Sequence, residues 1–370
     1  MSSNNVSSQA SRRGFKEGLK ESIRKVIYLY HKSEKLLVNK PKVYAIITYY
    51  KVDYYVIIVM IATEEKRSII TFEEEEHLYH YKGTRLSSVT SALKPYFPFD
   101  MEGQLYRSAY QVLFGQDEWK KIMAKTFKYD YKVDLDVMHE ALEPMIDWDE
   151  LLATRELIRE EWRMSGVRGT EAHLIEENKL YAAGEFFNHR TKRMQPVIQK
   201  AKDYDNQSVA LNYYEELEDG CYPELLVHTG WDAMQYVKDG KVTDQEKYDE
   251  IMRDVLPGQS DIVCFETIGD ERFVDIYDHK FMKREPRKYY NNKALPPLDK
   301  FKCRNDKIQK FECQLGTYMH SLVKMGFTPR HIDFIYYKDY NPEDKKIFKL
   351  KYRPDLIESI LEDFNNRKDI

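Results

Sequence analysis

The apolar positions of this chain change period several times, and each change marks an element. Between Arg12 and Pro41, Phe15, Leu19, Ile23, Val26, Ile27 and Tyr30 recur at helical spacing, which predicts an amphipathic helix. From Val43 to Phe72, β-branched residues and tyrosines crowd together and predict strands, with the polar stretch 63–67 as the turn between two of them. Residues 72–100 predict a hairpin turning at Lys82-Gly83, then a short helix capped by Ser87, Ser88 or Thr90 and stopped by Pro95. Helical periodicity dominates 103–163, and a second helix is expected to begin after a glycine and run over 169–185. Strands return at 223–230, 261–267 and 272–281; helical patterns at 306–325 and 354–366 then enclose a strand at 331–338. This alternation predicts an α/β protein, with residues 1–70 as a small basic appendage and 71–370 as the main domain.

Composition narrows the class. A charged fraction of 32% excludes a membrane protein as a whole, and 42% apolar content with 29 Tyr and 17 Phe excludes a disordered chain. The one candidate span, 43–62, is interrupted by Lys51 and Asp53, each costing about 2.5–3.5 kcal/mol at a bilayer centre, so no membrane association is expected. The Ser-rich opening residues lack an apolar signal core, so a cytoplasmic location is expected, with a mitochondrial address as the weaker alternative. Cys221, Cys264, Cys303 and Cys313 contain no CxxC pair; they are expected to be small buried side chains, neither a disulfide scaffold nor a zinc ribbon.

The net charge of −4 excludes a uniformly basic protein, but the charge is uneven. Residues 11–42 carry ten Lys/Arg against three Glu, which suits either a solvated helix face or one turned toward nucleic acid. Residues 280–310 carry eleven Lys/Arg against three acids, interleaved with Phe281, Tyr289, Tyr290 and Phe301 and broken by Pro286, Pro296 and Pro297. A basic, aromatic loop of this kind suits a nucleic-acid strand, with Lys283, Arg284, Arg287 and Lys288 on phosphates and Tyr289 and Tyr290 stacking on bases.

The densest chemistry lies between Gly258 and Lys280. Asp261 opens one strand, residues 269–272 form a turn, and the next strand ends in Asp278, His279 and Lys280. Asp278 and Lys280 are two apart and project from one face, and the hairpin can bring Asp261 beside them. Two carboxylates and an amine at one sheet end suit a hard divalent cation and a phosphodiester. Alone, the pattern also fits a surface salt bridge.

Three further features extend it. His173 has Glu176 and Glu177 at i+3 and i+4, Gly258 precedes Asp261 by three residues, and Gln314 and Tyr318 lie at i and i+4 on one predicted helix. Glycine and histidine, glycine and aspartate, aspartate and lysine, then glutamine and tyrosine, in that order, resemble the RecB-like branch of the PD-(D/E)XK nuclease superfamily. Within that branch the chain is most similar to single-strand-preferring exonucleases of the mitochondrial genome maintenance type and their phage relatives, over about 72–366.

The resemblance implies a restriction-endonuclease-like core, a mixed central sheet flanked by helices; the small N-terminal α+β appendage lies outside it. It makes Asp261 and Asp278 ligands of Mg²⁺ or Mn²⁺, with the His279 carbonyl a third and Glu224 an additional acidic group. Lys280 would position or activate the water, His173 would approach a second metal or the scissile phosphate, and Gln314 and Tyr318 would hold the phosphate or strand. Asp278 stands where glutamate is commoner, a change the pattern permits. No cysteine follows Cys313, so the iron–sulfur cluster of some members is not expected. The implied activity is a DNA exonuclease acting on single strands or ends in replication, recombination or repair. Residues 1–70 would dock replication or recombination proteins. Two rivals are a catalytically silent nucleic-acid-binding module and a structural subunit of a replication or virion assembly. His228 and Trp231 are expected to be buried rather than to line a groove.

Overall fold

The computed structural model describes residues 45–46, 59–60, 70–73, 78–128, 133–198, 217–238, 241–288 and 293–368. The chain divides into two compact units, Met1–Arg67 and Ser68–Ile370. In the first, β1 (Ala45–Ile46) pairs antiparallel with β2 (Val59–Met60). The basic helix expected at 11–42 and the turn at 63–67 lie outside the described residues.

The second unit begins with a three-stranded antiparallel sheet, β3 (Ile70–Glu73), β4 (Leu78–Tyr81) and β5 (Thr84–Leu86), with the last two joined by the expected Lys82-Gly83 turn. Ser88 caps α1 (Val89–Leu93), its side chain accepting the N–H of Ser91. Three helices follow: α2 (Met101–Phe114), α3 (Gln116–Lys125) and α4 (Leu135–Leu142). They pack Tyr110, Trp119, Met123 and Met138 into an aromatic-rich cluster with Leu151.

Leu151 belongs to α5 (Trp148–Ala183), 36 residues long. The expected break near Gly169 does not occur. Gly166 and Gly169 each cost about 1 kcal/mol relative to alanine in a helix interior. Nothing packs against either position, however, and stop signals stand only at the ends. Asp147 caps the first turn and Gly184 closes the last, while Arg159–Glu156, Arg163–Glu160 and Lys179–Glu176 pairs support the exposed faces between them.

The hairpin of β6 (Glu185–Asn188) and β7 (Arg193–Pro196) leads to β8 (Gly220–His228). A short pair, β9 (Val237–Lys238) and β10 (Lys241–Val242), precedes α6 (Gln245–Met252). The remaining elements are β11 (Pro257–Ile268), β12 (Glu271–Met282), α7 (Lys307–Lys324), β13 (Thr328–Lys338), β14 (Lys345–Leu350) and α8 (Pro354–Lys368).

These elements build a five-stranded mixed sheet in the order β14-β13-β12-β11-β8. All neighbours are antiparallel except β12 and β13, which run parallel because α7 crosses between them. One face packs Val263, Phe265, Val274 and Ile276 against α1, α7 and α8; the other carries Ile262, Cys264 and Tyr277 against Leu180 and Phe186. The fold is therefore a mixed α/β sheet flanked by helices. Among the described residues, no helix is long and apolar enough to cross a membrane.

The cysteine expectation needs correction. Cys221 and Cys264 face each other across β8 and β11 and form a disulfide. Cys303 and Cys313 are free and buried, as expected.

Candidate functional site

The site grows from the β11–β12 hairpin, closed by the two-residue turn Gly269-Asp270, where Gly269 takes a φ of 64°. That register runs back to the pair Ile262–Tyr277 and so brings Asp261 and Asp278 opposite each other one step beyond. At this step the neighbouring strand is kinked: Glu224 adopts a φ of 49° and, like Asp261, stands outside the ladder between the pairs Ser260–Leu225 and Ile262–Pro223. Alternation fails there, so Tyr222 and Leu225, three apart, both enter the same core. The kink gathers Glu224 with the two aspartates.

Asp261 is held from two sides. Its Oδ2 accepts the backbone N–H of His279 at 2.5 Å and lies 3.1 Å from His173 Nδ1, which reaches down from the second half of α5. Burial alone would raise this carboxyl, but His173, Lys280 and His279 together hold it well below the usual carboxylate range. Asp278 is 1% exposed and ion-paired with Lys280. Burial and the adjacent Asp261 charge push its carboxyl up, against the pull of Lys280. Burial likewise pushes Glu224 well up, reinforced by Asp261, Glu177 and Asp278.

The cations answer these charges. Burial works against the charged forms of both Lys280 and His173, yet Asp278 and Asp261 raise the lysine and Asp261 raises the histidine. Lys280 Nζ also sits 5.2 Å from the centre of the Phe311 ring on α7. The next turns of α7 bring Gln314 and Tyr318 to the same side, with Gln314 Nε2 donating to the Tyr318 hydroxyl at 3.2 Å. Burial raises Tyr318 well above an ordinary phenol, so it remains a neutral donor. His279 projects to the opposite face, stacks on Tyr337 and bonds its hydroxyl through Nδ1 at 2.9 Å. Burial lowers the His279 ring to about 4.

The structure thus brings together Asp261, Asp278, Lys280, His173, Glu224, Gln314 and Tyr318. The donor chemistry fits Mg²⁺ or Mn²⁺: carboxylate oxygens from Asp261 and Asp278 and the carbonyl of His279 are hard ligands, and Mg²⁺ binds through one or two carboxylates while keeping several waters. Among the described residues, no three His, Cys, Asp or Glu side chains form a ready-made cage. Asp261 and Asp278 instead spend their oxygens on His279, His173 and Lys280, contacts that a cation would have to share.

The basic loop is less uniform than its sequence. Lys283 is paired with Glu161 on α5 at 2.5 Å, so its charge is already answered within the chain. Arg284, Arg287 and Lys288 are exposed, and Tyr289 and Tyr290 lie outside the described residues. His228 and Trp231 do not join the site. His228 is buried as expected, whereas Trp231 is only half-buried and packs edge-on against His320.

Sequence reasoning passed over Glu177 as part of the acidic group and Phe311 beneath Lys280. Glu177 was legible in its i+4 spacing from His173, whereas Phe311 had no signal beyond helical phase. Compared with known protein families, with curated proteins and with solved structures, the chain matches none.

Proposed function

We propose that this chain is a metal-dependent nuclease that hydrolyses DNA phosphodiester bonds, acting as an exonuclease on single strands or ends. One observation carries the reading: a single hairpin end, next to a kinked strand and two helices, gathers Asp261, Asp278 and Glu224 with Lys280 and His173. The four-part resemblance to the PD-(D/E)XK superfamily supports it.

Asp261, Asp278 and the His279 carbonyl would hold Mg²⁺ or Mn²⁺. When bound, the ion polarises the phosphoryl oxygen and makes water a better nucleophile at neutral pH. The protein's own groups do the rest. Lys280 keeps its proton against burial, so it acts as a fixed positive charge beside the developing oxyanion, not as a base. His173 fixes the orientation of Asp261. The Tyr318 hydroxyl, supported by Gln314, is a neutral donor for a phosphate oxygen.

The test is a gel assay on end-labelled single- and double-stranded DNA with Mg²⁺, Mn²⁺ or EDTA. Cleavage is expected with either metal, and none with EDTA or in Asp278→Ala and Lys280→Ala chains. Wild-type rates in both variants, or an inert wild-type chain with both metals, would overturn the reading.

A further inference from the structure

Three lysines outside the carboxylate site form a cationic stripe that leads toward it. Lys307 and Lys310 are one turn apart on α7, and Gln314 and Tyr318 continue the same helical line. From Lys307 to Tyr318 the helix rises about 16 Å, at roughly 1.5 Å per residue. Lys94 joins from the turn that directly follows the neighbouring α1, whose Val89, Ala92 and Leu93 share a core with Ile308 and Leu315 of α7.

The segment after α1 is tied to the approach to α7 by two bonds. The Leu295 N–H donates to the Tyr96 carbonyl at 3.0 Å, and Asn305 Nδ2 donates to the Pro98 carbonyl at 3.0 Å. The trio is thus held on one framework. None of the three is paired with a carboxylate among the described residues. Three other basic residues nearby do pair with carboxylates: Lys280 with Asp278, Lys283 with Glu161 and Arg304 with Asp306. Burial, then the charges of Lys94 and Lys307, hold the Lys310 ammonium below an ordinary lysine. Three like charges left unanswered in this way invite a polyanion.

We propose that Lys94, Lys307 and Lys310 are the phosphate track that leads a single DNA strand along α7 to Gln314, Tyr318 and the carboxylates. The inference rests on the nuclease reading for its destination. It also moves the phosphate contacts away from Lys283, which is already paired.

The test measures binding of fluorescein-labelled oligothymidylate to the wild-type chain in EDTA at several salt concentrations, so that no cleavage intrudes. Each phosphate contact on a single strand contributes about 0.7 to the slope of log K against log[salt]. Replacing all three residues, Lys94→Gln, Lys307→Gln and Lys310→Gln, is therefore expected to flatten the slope by about 2 and weaken binding. The Lys283→Gln control should change the slope by less than about 0.7. An unchanged slope in the triple variant, or a wild-type chain that does not bind, would overturn the track. Trio-dependent binding without cleavage in any metal would uphold the track and sink the nuclease reading alone. Metal-dependent cleavage with an unchanged slope would do the reverse.

Discussion

A Cβ placed on Gly258 would lie 2.4 Å from Cε1 of Tyr318 and 2.5 Å from its hydroxyl oxygen. Strand β11 and helix α7 therefore approach as closely as they do only because residue 258 has no side chain, three residues before Asp261. Gly258→Ala should push the Tyr318 ring away from the carboxylates and cost about 1–3 kcal/mol through overpacking. Urea denaturation combined with the DNA cleavage assay checks this. Cleavage should fall by more than the loss of folded protein accounts for, and unchanged stability together with full activity would contradict the close approach.

His173 and Gln314 each contact one neighbour at the site, Asp261 in one case and Tyr318 in the other. His173→Ala and Gln314→Ala should each lower cleavage about 10–100-fold without abolishing it, the range for residues that orient a ligand group. Rates at saturating substrate decide the matter. Full activity in both variants would detach the two flanking helices from the chemistry.

Away from the site, Asp275 is fully buried and bonds Arg330 Nε at 3.0 Å, His331 Nδ1 at 2.8 Å and Asn188 Nδ2 at 2.8 Å. It joins the β6–β7 hairpin to β12 and β13. Asp275→Ala would strand the buried part of the guanidinium and should cost about 3–5 kcal/mol, because one partner of a buried charge cluster is lost. Chemical denaturation at neutral pH measures it, and a change within the range of exposed salt bridges, below about 1 kcal/mol, would count against the network.

His228 gives stability a pH dependence. Burial lowers its ring to about 4, and its Nδ1 accepts the N–H of Gly230 at 3.0 Å, which requires the neutral ring. Above about 6.5, the value for an unfolded histidine, both states are neutral and the group contributes no pH dependence. As pH falls from there toward 4, the unfolded chain takes up the proton and the folded chain does not. Roughly 3 kcal/mol of stability is lost across that window. His228→Asn retains an acceptor and cannot titrate, so its denaturation midpoint should fall less between pH 7 and pH 5 than that of the wild type. Equal falls would refute the assignment.

The carboxylate hairpin was legible because period-two alternation and a Gly-Asp turn set register locally, within eighteen residues. The long helix was not, because Gly166 and Gly169 resemble stop signals until one knows that nothing packs on them. The disulfide between Cys221 and Cys264 and the pairing of Lys283 with Glu161 depend on sheet register and helix placement over separations of 43 and 122 residues. Strand β14 was hidden for another reason. Its lysines at 345, 346 and 349 are the charges expected of an unpaired sheet edge, and they mask the alternation. The kink at Glu224 had one local mark, the adjacent Pro223, since proline inside a strand signals an edge or a bulge.

Helix α5 is also a lever. At about 1.5 Å per residue its 36 residues make a rod of roughly 54 Å, seated at one end in the aromatic cluster around Tyr110 and Trp119 and at the other over the sheet. Leu151, near its start, is its only fully buried residue. His173 stands about 21 Å along the axis from Arg159, so a tilt of about 5° there would carry its imidazole by roughly 2 Å, enough to break its contact with Asp261. The middle of the rod is held against such a tilt by the Tyr340 hydroxyl, which donates to the Ser165 carbonyl at 3.1 Å, and by Lys283, which pairs with Glu161.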